Sequence, residues 1–338
     1  MADTSQTLAL LALGQARRGD IVRNINRRSA LLSLLPVVPG TSQNCAWSVE
    51  SGGQLTEGFS EGADAANFQS DSQATAMLSW GRKRSNFHVT GTARRAARTA
   101  SAGPDGVRDL IGRNIVNSSA ALASAINVDL FSGNGSTDNI AGLDTAIDDA
   151  NTYATIDRSS QTYWRSKVVD PGSSTALSFQ QMRSDRTAIY VQCGEMPDLC
   201  VVSPDLFDTI GSLYDSNRRY VTSLSTPRGQ VTLDAGFAAL ELDGMAIIKD
   251  KDATANRIYY LNTNYIELQY QPLEPEMMDM LGLSLQANDG YGATPLGIRC
   301  EKLAKNGDSD RYMVFAELQL VLRRPNAFGV RKNVAVAT

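Results

Sequence analysis

Apolar positions along the chain fall into one helical pattern of unusual length. Val107, Ile111, Ile115, Leu122, Ile126 and Leu130 recur at steps of four and seven, the spacing of a single helix face. Pro104 suits the first helical position and Gly133 closes the run, which predicts a helix over residues 104–131. At 1.5 Å per residue this is a rod of roughly 40 Å, well beyond the three or four turns usual in globular domains. A rod of that length is an architectural element, and its small-residue stretch at 117–125 lets another element approach closely.

On either side the period changes. Near the start, Ile21, Val22 and Ile25 share a helical face among Arg17, Arg18, Arg23, Arg27 and Arg28, and Pro36 and Pro39 end this apolar and basic arm. Across residues 44–92 alternation replaces the helical period, with Ala74, Ala76, Leu78 and Trp80 set against Thr75, Met77 and Ser79. Gly52, Gly53, Gly58 and Gly62 punctuate this stretch, which reads as a long two-stranded excursion. Its middle, residues 54–72, is poor in large apolar side chains, so it cannot bury itself and needs a surface to lie on.

Beyond the Gly133-Asn134-Gly135 turn, residues 142–170 mix short strands and loops. Ser178 with Gln181 forms a capping box for a helix that Gly194 ends. A short buried strand at 199–202 follows, then Ser203 as cap, Pro204 at the first helical position, and a helix to about Tyr214. From Val231 strands dominate: 239–242, an Asp243-Gly244 turn, 245–248, 257–261 and 265–270, with a last strand at 313–322 before Arg323-Arg324-Pro325. The order is α+β without an internal repeat, and 338 residues suit about two domains or one intergrown domain.

Composition narrows the function. With 42% apolar and 20% charged residues the chain can bury a core, and its net charge of -4 removes a whole-molecule case for binding nucleic acid. Residues 1–100 carry 11 basic and 7 acidic side chains, which leaves 21 and 29 of the totals of 32 and 36 for the rest. Opposite signs, +4 and -8, suit contacts between copies of one chain, although solvated faces give the same count. The stretch 30–38 is broken by Ser33 and Pro36 and falls short of the roughly 20 residues of a membrane span. The apolar stretch 8–13 precedes the arginines and no cleavage site follows, so no secretory signal is expected. Cys45, Cys193, Cys200 and Cys300 are too sparse for a disulfide framework and lack zinc spacing, and read as reduced thiols.

Candidate chemistry is thin. His88 is the one histidine and reads as an ordinary structural residue on a strand, which leaves histidine triads without material. Gly133-Asn134-Gly135 has Asp138 where a dinucleotide fingerprint needs its third glycine. Asp250-Lys251-Asp252 has Ala255 and Leu261 at the glycine and glutamate positions of a calcium loop, and reads as a hairpin turn. Asp148 and Asp149 diverge as sequence neighbours and fit a solvated loop better than a glycosidase pair. Arg82-Lys83-Arg84, Arg94-Arg95 and Arg98 read as a solvated strand face first, a protein contact next and a nucleic-acid contact last. No catalytic residue, metal site or cofactor is expected.

Three strings carry a resemblance: Gly142-Leu143-Asp144 through Ile156-Asp157-Arg158-Ser159 to Tyr163-Trp164-Arg165; Leu242-Asp243-Gly244-Met245 with Ile258-Tyr259-Tyr260; and Leu318-Gln319-Leu320 with Arg324-Pro325 and Gly329. With the basic arm, the uncovered hairpin and the long helix, the chain resembles a tailed-bacteriophage major capsid (major head) protein, with the fold known from coliphage Hong Kong 97. The resemblance implies an N-arm at 1–40, an extended β-hairpin E-loop at 41–100, and a peripheral P-domain at 101–204 and 301–338 that holds the spine helix 104–131. It places the axial A-domain at 205–300.

It further implies a non-enzymatic structural protein that self-assembles into pentamers and hexamers of an icosahedral shell around double-stranded DNA. That DNA would be met non-specifically on the inner face. Portal and scaffolding proteins, and a decoration protein, are the other partners implied; the location is the virion, after assembly in the host bacterial cytoplasm. The arm lacks a long segment like a removable scaffolding domain, so a separate scaffold is the expectation. Arg82, Lys83 and Arg84 are expected to meet Asp148, Asp149 and Asp157 of a neighbouring copy. The rival readings are a cellular nanocompartment shell of the same fold, a soluble carboxylate-based enzyme, and a nucleic-acid-binding scaffold.

Overall fold

A computed structural model describes residues 30–40, 44–50, 61, 73–100, 104–136, 138–214, 223–226, 229–232, 239–271 and 298–336. The helical face at Ile21, Val22 and Ile25 and nearly all of the 54–72 stretch lie outside these residues. The long helix is present as expected: α3 runs Pro104–Ser132, 29 residues, after two shorter helices, α1 (Ala30–Leu34) and α2 (Gly91–Ala100). Ile111, Ile115, Leu122, Ile126 and Leu130 are all buried, so the step-of-four pattern marks the face that packs.

Under α3 lies a five-stranded sheet built on β14 (Ser309–Leu322). One side of β14 pairs antiparallel with β4 (Gly81–Thr90) over its outer ten residues. The other side pairs with β13 (Arg299–Asn306) and then with β12 (Ile266–Tyr270), which in turn pairs parallel with β1 (Val37–Pro39). The even-numbered residues of β14, from Asp310 to Leu322, are all buried against the helix side. Val89 and Tyr312 meet Ile111 and Ile115 there, with Phe87 stacked on Tyr312 at 5.0 Å.

The second sheet has the order β5-β15-β11-β6-β10-β9. Its strands are β5 (Lys167–Val169), β6 (Leu199–Val202), β9 (Ala239–Leu242), β10 (Met245–Lys249), β11 (Ile258–Leu261) and β15 (Gly329–Arg331). Every residue of β6 and β11 is buried, as expected of strands covered on both faces, with α5 (Phe179–Cys193) and α6 (Pro204–Leu213) packed against the sheet. The capping box at Ser178 and Gln181 forms as the spacing predicts. Asp243 and Gly244 both take positive φ, 50° and 82°, the two-residue turn that the right-handed twist of β9 and β10 favours. A further short helix, α4 (Leu143–Ala146), and the two-stranded pairs β2 (Cys45–Glu50) with β3 (Gln73–Leu78) and β7 (Ser223–Thr226) with β8 (Gly229–Thr232) complete the description.

Four expectations change. The excursion over 44–92 is two-stranded only at β2 and β3; its later part leaves as β4 and joins β14, because the alternation of β4 fits that strand's open flank. Asp250 to Asp252 form a turn but no hairpin, since β6 inserts between β10 and β11 and pairs with both. Arg94, Arg95 and Arg98 sit on α2, not on a strand, in an alanine- and arginine-rich segment of good helix formers. β13 was not expected at all, because its charged sequence carries no apolar alternation.

The end of the arm is fastened to the body. α1 buries Ala30, Leu31 and Leu32, and the Leu31 N–H donates to Asp250 at 3.2 Å. Asn127 of α3 donates to the same carboxylate at 2.9 Å, so a buried aspartate joins arm, spine and the β10–β11 turn. Just beyond, Gly40 passes beneath Trp80, where a Cβ would come within 2.4 Å of the indole ring.

Candidate assembly surfaces

The period of a strand sorts the first basic cluster onto opposite faces of the sheet. Lys83 turns toward the spine and pairs with Asp129 of α3 at 2.6 Å. Arg82 and Arg84 turn the other way and are exposed, together with Asn86 and His88. Arg82 pairs with Asp138 at 3.3 Å and with Glu317 at 3.2 Å. Among the described residues no carboxylate pairs with Arg84 within 4 Å.

That second face is open over half its length. From Ser309 to Glu317 the odd-numbered residues of β14 are only partly buried or exposed, whereas Gln319 and Val321 farther along are buried. Register places Arg84 beside Phe315 and His88 beside Arg311, and across β14 it places Arg299 beside Phe315 and Leu303 beside Arg311. The Arg299 guanidinium lies 5.6 Å from the Phe315 ring centre. The result is a one-sided sheet with basic and apolar groups interleaved.

The acidic candidates separate in the same manner. Asp148 is buried; burial alone would raise its carboxyl, but bonds from the Asn151 and Asp149 N–H groups and the Asn151 amide outweigh it and hold the group below its ordinary value. Asp149 is exposed. Asp157 is also exposed and accepts from the Ser159 N–H at 2.8 Å and the Ser159 hydroxyl at 2.6 Å, which lower its carboxyl.

Between these surfaces the loop 142–166 is organised by a residue whose role sequence reasoning missed. Arg158 is fully buried. Its Nε donates to the Trp164 carbonyl at 3.2 Å, its Nη1 to Thr145 at 3.3 Å and Asn151 at 3.5 Å, and its Nη2 to the Ala146 carbonyl. The cation also sits 5.0 Å from the Tyr153 ring centre. Burial lowers the guanidinium to about 10, while Tyr153, Asp148 and Asp149 act against that drop. The loop in turn carries the root of the ribbon: the Met77 N–H donates to the Ala154 carbonyl at 3.0 Å, and Trp47 of β2 lies 6.5 Å from Trp164. A cavity of about 430 Å³, lined by Met77, Leu78, Asn134, Ala141 and Tyr153, separates root and loop.

Burial raises Cys45 to about 12 and pushes the Cys200 thiol and the Tyr260 hydroxyl well above their ordinary values, so these groups are held protonated and unreactive. Among the described residues, no group of three His, Cys, Asp or Glu is placed to hold a metal, and no helix is long and apolar enough to cross a membrane.

A long spine over a half-open sheet, a two-stranded ribbon seated at one end and a second buried sheet define a shell-forming structural protein with the Hong Kong 97-like capsid fold. The model of the SU10 major capsid protein family matches residues 20–335, and the chain belongs to that family. Similar solved structures include the cyanophage A-1(L) capsid, with a TM-score of 0.69 at 18% identity over 91% of this chain and 93% of that one. A chain from Mycobacterium phage Bobi matches with a TM-score of 0.54 at 11% identity over 92% and 91%. The SrpI encapsulin complex of Synechococcus elongatus PCC 7942 matches with 0.53 at 13% identity over 91% and 88%. Among proteins with curated functions none matches the chain. Membership in a major capsid family places the chain in the shell of a virion, where it associates with copies of itself.

Proposed function

We propose that copies of this chain ring five-fold and six-fold axes as pentamers and hexamers of an icosahedral head that encloses double-stranded DNA. The observation that carries this is the capsid-family match across residues 20–335. In this reading residues 1–40 are the arm, 41–100 the extended loop, 101–204 and 301–338 the peripheral domain, and 205–300 the axial domain. The spine stiffens the wall and no bond is made or broken, so the role is not enzymatic. A portal protein and a separate scaffold are the proposed assembly partners and a decoration protein an optional addition to the head, DNA meets its inner face without sequence preference, and assembly takes place in the host bacterial cytoplasm.

Of the charged residues expected between copies, Arg82, Arg84, Asp149 and Asp157 are exposed and remain our proposed contacts, whereas Lys83 pairs with Asp129 and Asp148 is buried. Each exposed pair contributes only about 0–1 kcal/mol, and repetition around a shell multiplies it. The encapsulin likeness supports a cellular nanocompartment as the second reading, at lower structural similarity than the cyanophage capsid. Electron cryomicroscopy of particles made by this chain tests both readings. Capsomers of five and six copies around nuclease-protected DNA support the first, and closed shells that carry a protein cargo and no DNA refute it.

A further inference from the structure

The chain crosses directly between its two sheets at 262–265, from β11 to β12, and at 323–328, from β14 to β15. Both crossings are fastened to the turn that leads from α5 into β6. Glu195 of that turn accepts from the Tyr265 hydroxyl at 2.6 Å, from the Asn262 amide at 3.2 Å and from Arg324 at 3.3 Å. Arg324 also donates to the Cys193 carbonyl at 2.6 Å, and its guanidinium lies 5.4 Å from the Tyr265 ring centre. Asp198, at the end of the same turn, accepts from the Thr263 N–H at 2.9 Å. One carboxylate, that of Glu195, thus ties both crossings to the unit of the second sheet.

The rest of the junction holds distance more firmly than angle. Its core is continuous and apolar, and apolar attraction has no direction, so packed layers can slide by small steps and keep it. The end of the spine touches both sheets, through Asp129 with Lys83 on β4 and through Phe131 at 5.9 Å from the Tyr259 ring on β11. Hydrogen bonds weaken steeply as they bend, so a closed clasp at Glu195 resists a change of angle. It also opens with little loss, because the Glu195 and Arg324 side chains are each 38% exposed and water replaces their bonds. The Arg331–Asp185 pair inside the second unit, 9% and 5% exposed, has no such freedom, since breaking it strands a buried charge.

A shell of five- and six-membered rings needs an element with two states, because the two rings turn neighbouring copies through different angles and one sequence serves both. We propose that the clasp of Glu195 with Arg324, Tyr265 and Asn262 is that element. Closed, it fixes one angle between the sheets; open, it permits the other, which makes Glu195 a positioning residue for ring size. The inference rests on the shell reading above.

Two arms test it on the full chain. In an electron cryomicroscopy map of shells from the unmodified chain, the Glu195 carboxylate and the Arg324 guanidinium are expected within about 4 Å in one kind of ring and farther apart in the other. The same separation in every copy overturns the proposal. In the second arm, Glu195→Gln keeps the size of the side chain and an acceptor for Tyr265 but removes the charge that faces Arg324. Its subunits are expected to melt as the unmodified ones do, while at least tenfold more of its particles depart from the unmodified diameter. Arg183→Gln breaks another exposed pair, with Asp243, that lies wholly within the second unit, and is expected to leave the diameter unchanged. A normal diameter for Glu195→Gln, or an equal spread for Arg183→Gln, refutes the clasp. If Glu195→Gln does not fold, the map decides alone. Shells from the unmodified chain with a uniform clasp sink this inference only, whereas the absence of shells from the unmodified chain sinks the shell reading.

Discussion

Replacing Arg158 with methionine should unsettle the 142–166 loop more than any other single change there. The side chain is fully buried and donates to four backbone carbonyls, those of Thr145, Ala146, Asn151 and Trp164. Methionine approximates its apolar stem but leaves those acceptors without a donor, at about 1–3 kcal/mol each where water is excluded. Against this, removing a buried charge recovers its desolvation. Burial lowers the guanidinium from 12.5 to about 10, which corresponds to about 3 kcal/mol.

With roughly 2 kcal/mol per acceptor the losses exceed that gain, and the expected net destabilisation is about 4–5 kcal/mol. Arg158→Lys keeps the charge with three donors in place of five and should lose about half as much. Urea denaturation of dissociated subunits measures both, and limited proteolysis should place new cleavage within 142–166. A loss below about 1 kcal/mol for Arg158→Met would refute the reasoning, because it would mean that the carbonyls find other donors and the cage is incidental. Since the Ala154 carbonyl holds Met77, the same variant should also release the ribbon root and lower shell yield.

Two further predictions concern buried and titrating carboxylates. Arg331 grips Asp185 with two bonds of 2.6 and 2.7 Å while Tyr260 donates to it at 3.1 Å, all buried, so Asp185→Asn should cost about 3–5 kcal/mol by stranding a cation. Asp185→Leu with Arg331→Met should recover most of that loss in the same denaturation assay, and a double-mutant cycle isolates the coupling. For pH, the Asp148 carboxyl is held below its ordinary 3.8, despite burial, by bonds from Asn151 and Asp149; that of Asp243 is held down by Arg183. The unfolded chain therefore binds more protons just under pH 4, and the stability from these groups is full above that range and lost as pH falls through the depressed values. Denaturation midpoints measured from pH 5 down to pH 2.5 should fall, and Asp148→Asn should flatten the slope; an unchanged slope would remove Asp148 from the account.

The parts of this fold that could be read from sequence are those with local causes. The spine follows from apolar steps of four and seven, the α5 start from the Ser178–Gln181 box, and the β9–β10 hairpin from Asp243-Gly244, each fixed by neighbours within a few residues. Long-range choices were not legible. That β4 would leave the ribbon for β14, or that β6 would enter between β10 and β11, depends on partners distant in sequence and on strand order, which alternation does not encode. β13 was hidden because it is an exposed strand whose apolar partners lie on β14. Among candidate contact residues, the types were visible but their sides were not. Lys83 and Arg84 look equivalent as a charge run, and only the pairing of β4 with β14 sends one to Asp129 and the other outward. Arg158 left one trace, a lone cation between Ile156 and Trp164, which marks a buried charge only once the loop closes around it.

The central claim is that this chain builds a shell from copies of itself, and the most direct measurement is the particle mass of the purified chain by sedimentation, with negative-stain microscopy of the same fraction. The account predicts hollow, closed particles of megadalton mass. A monodisperse 36.4 kDa species, or a small oligomer that persists at high protein concentration with a scaffold supplied, would contradict it.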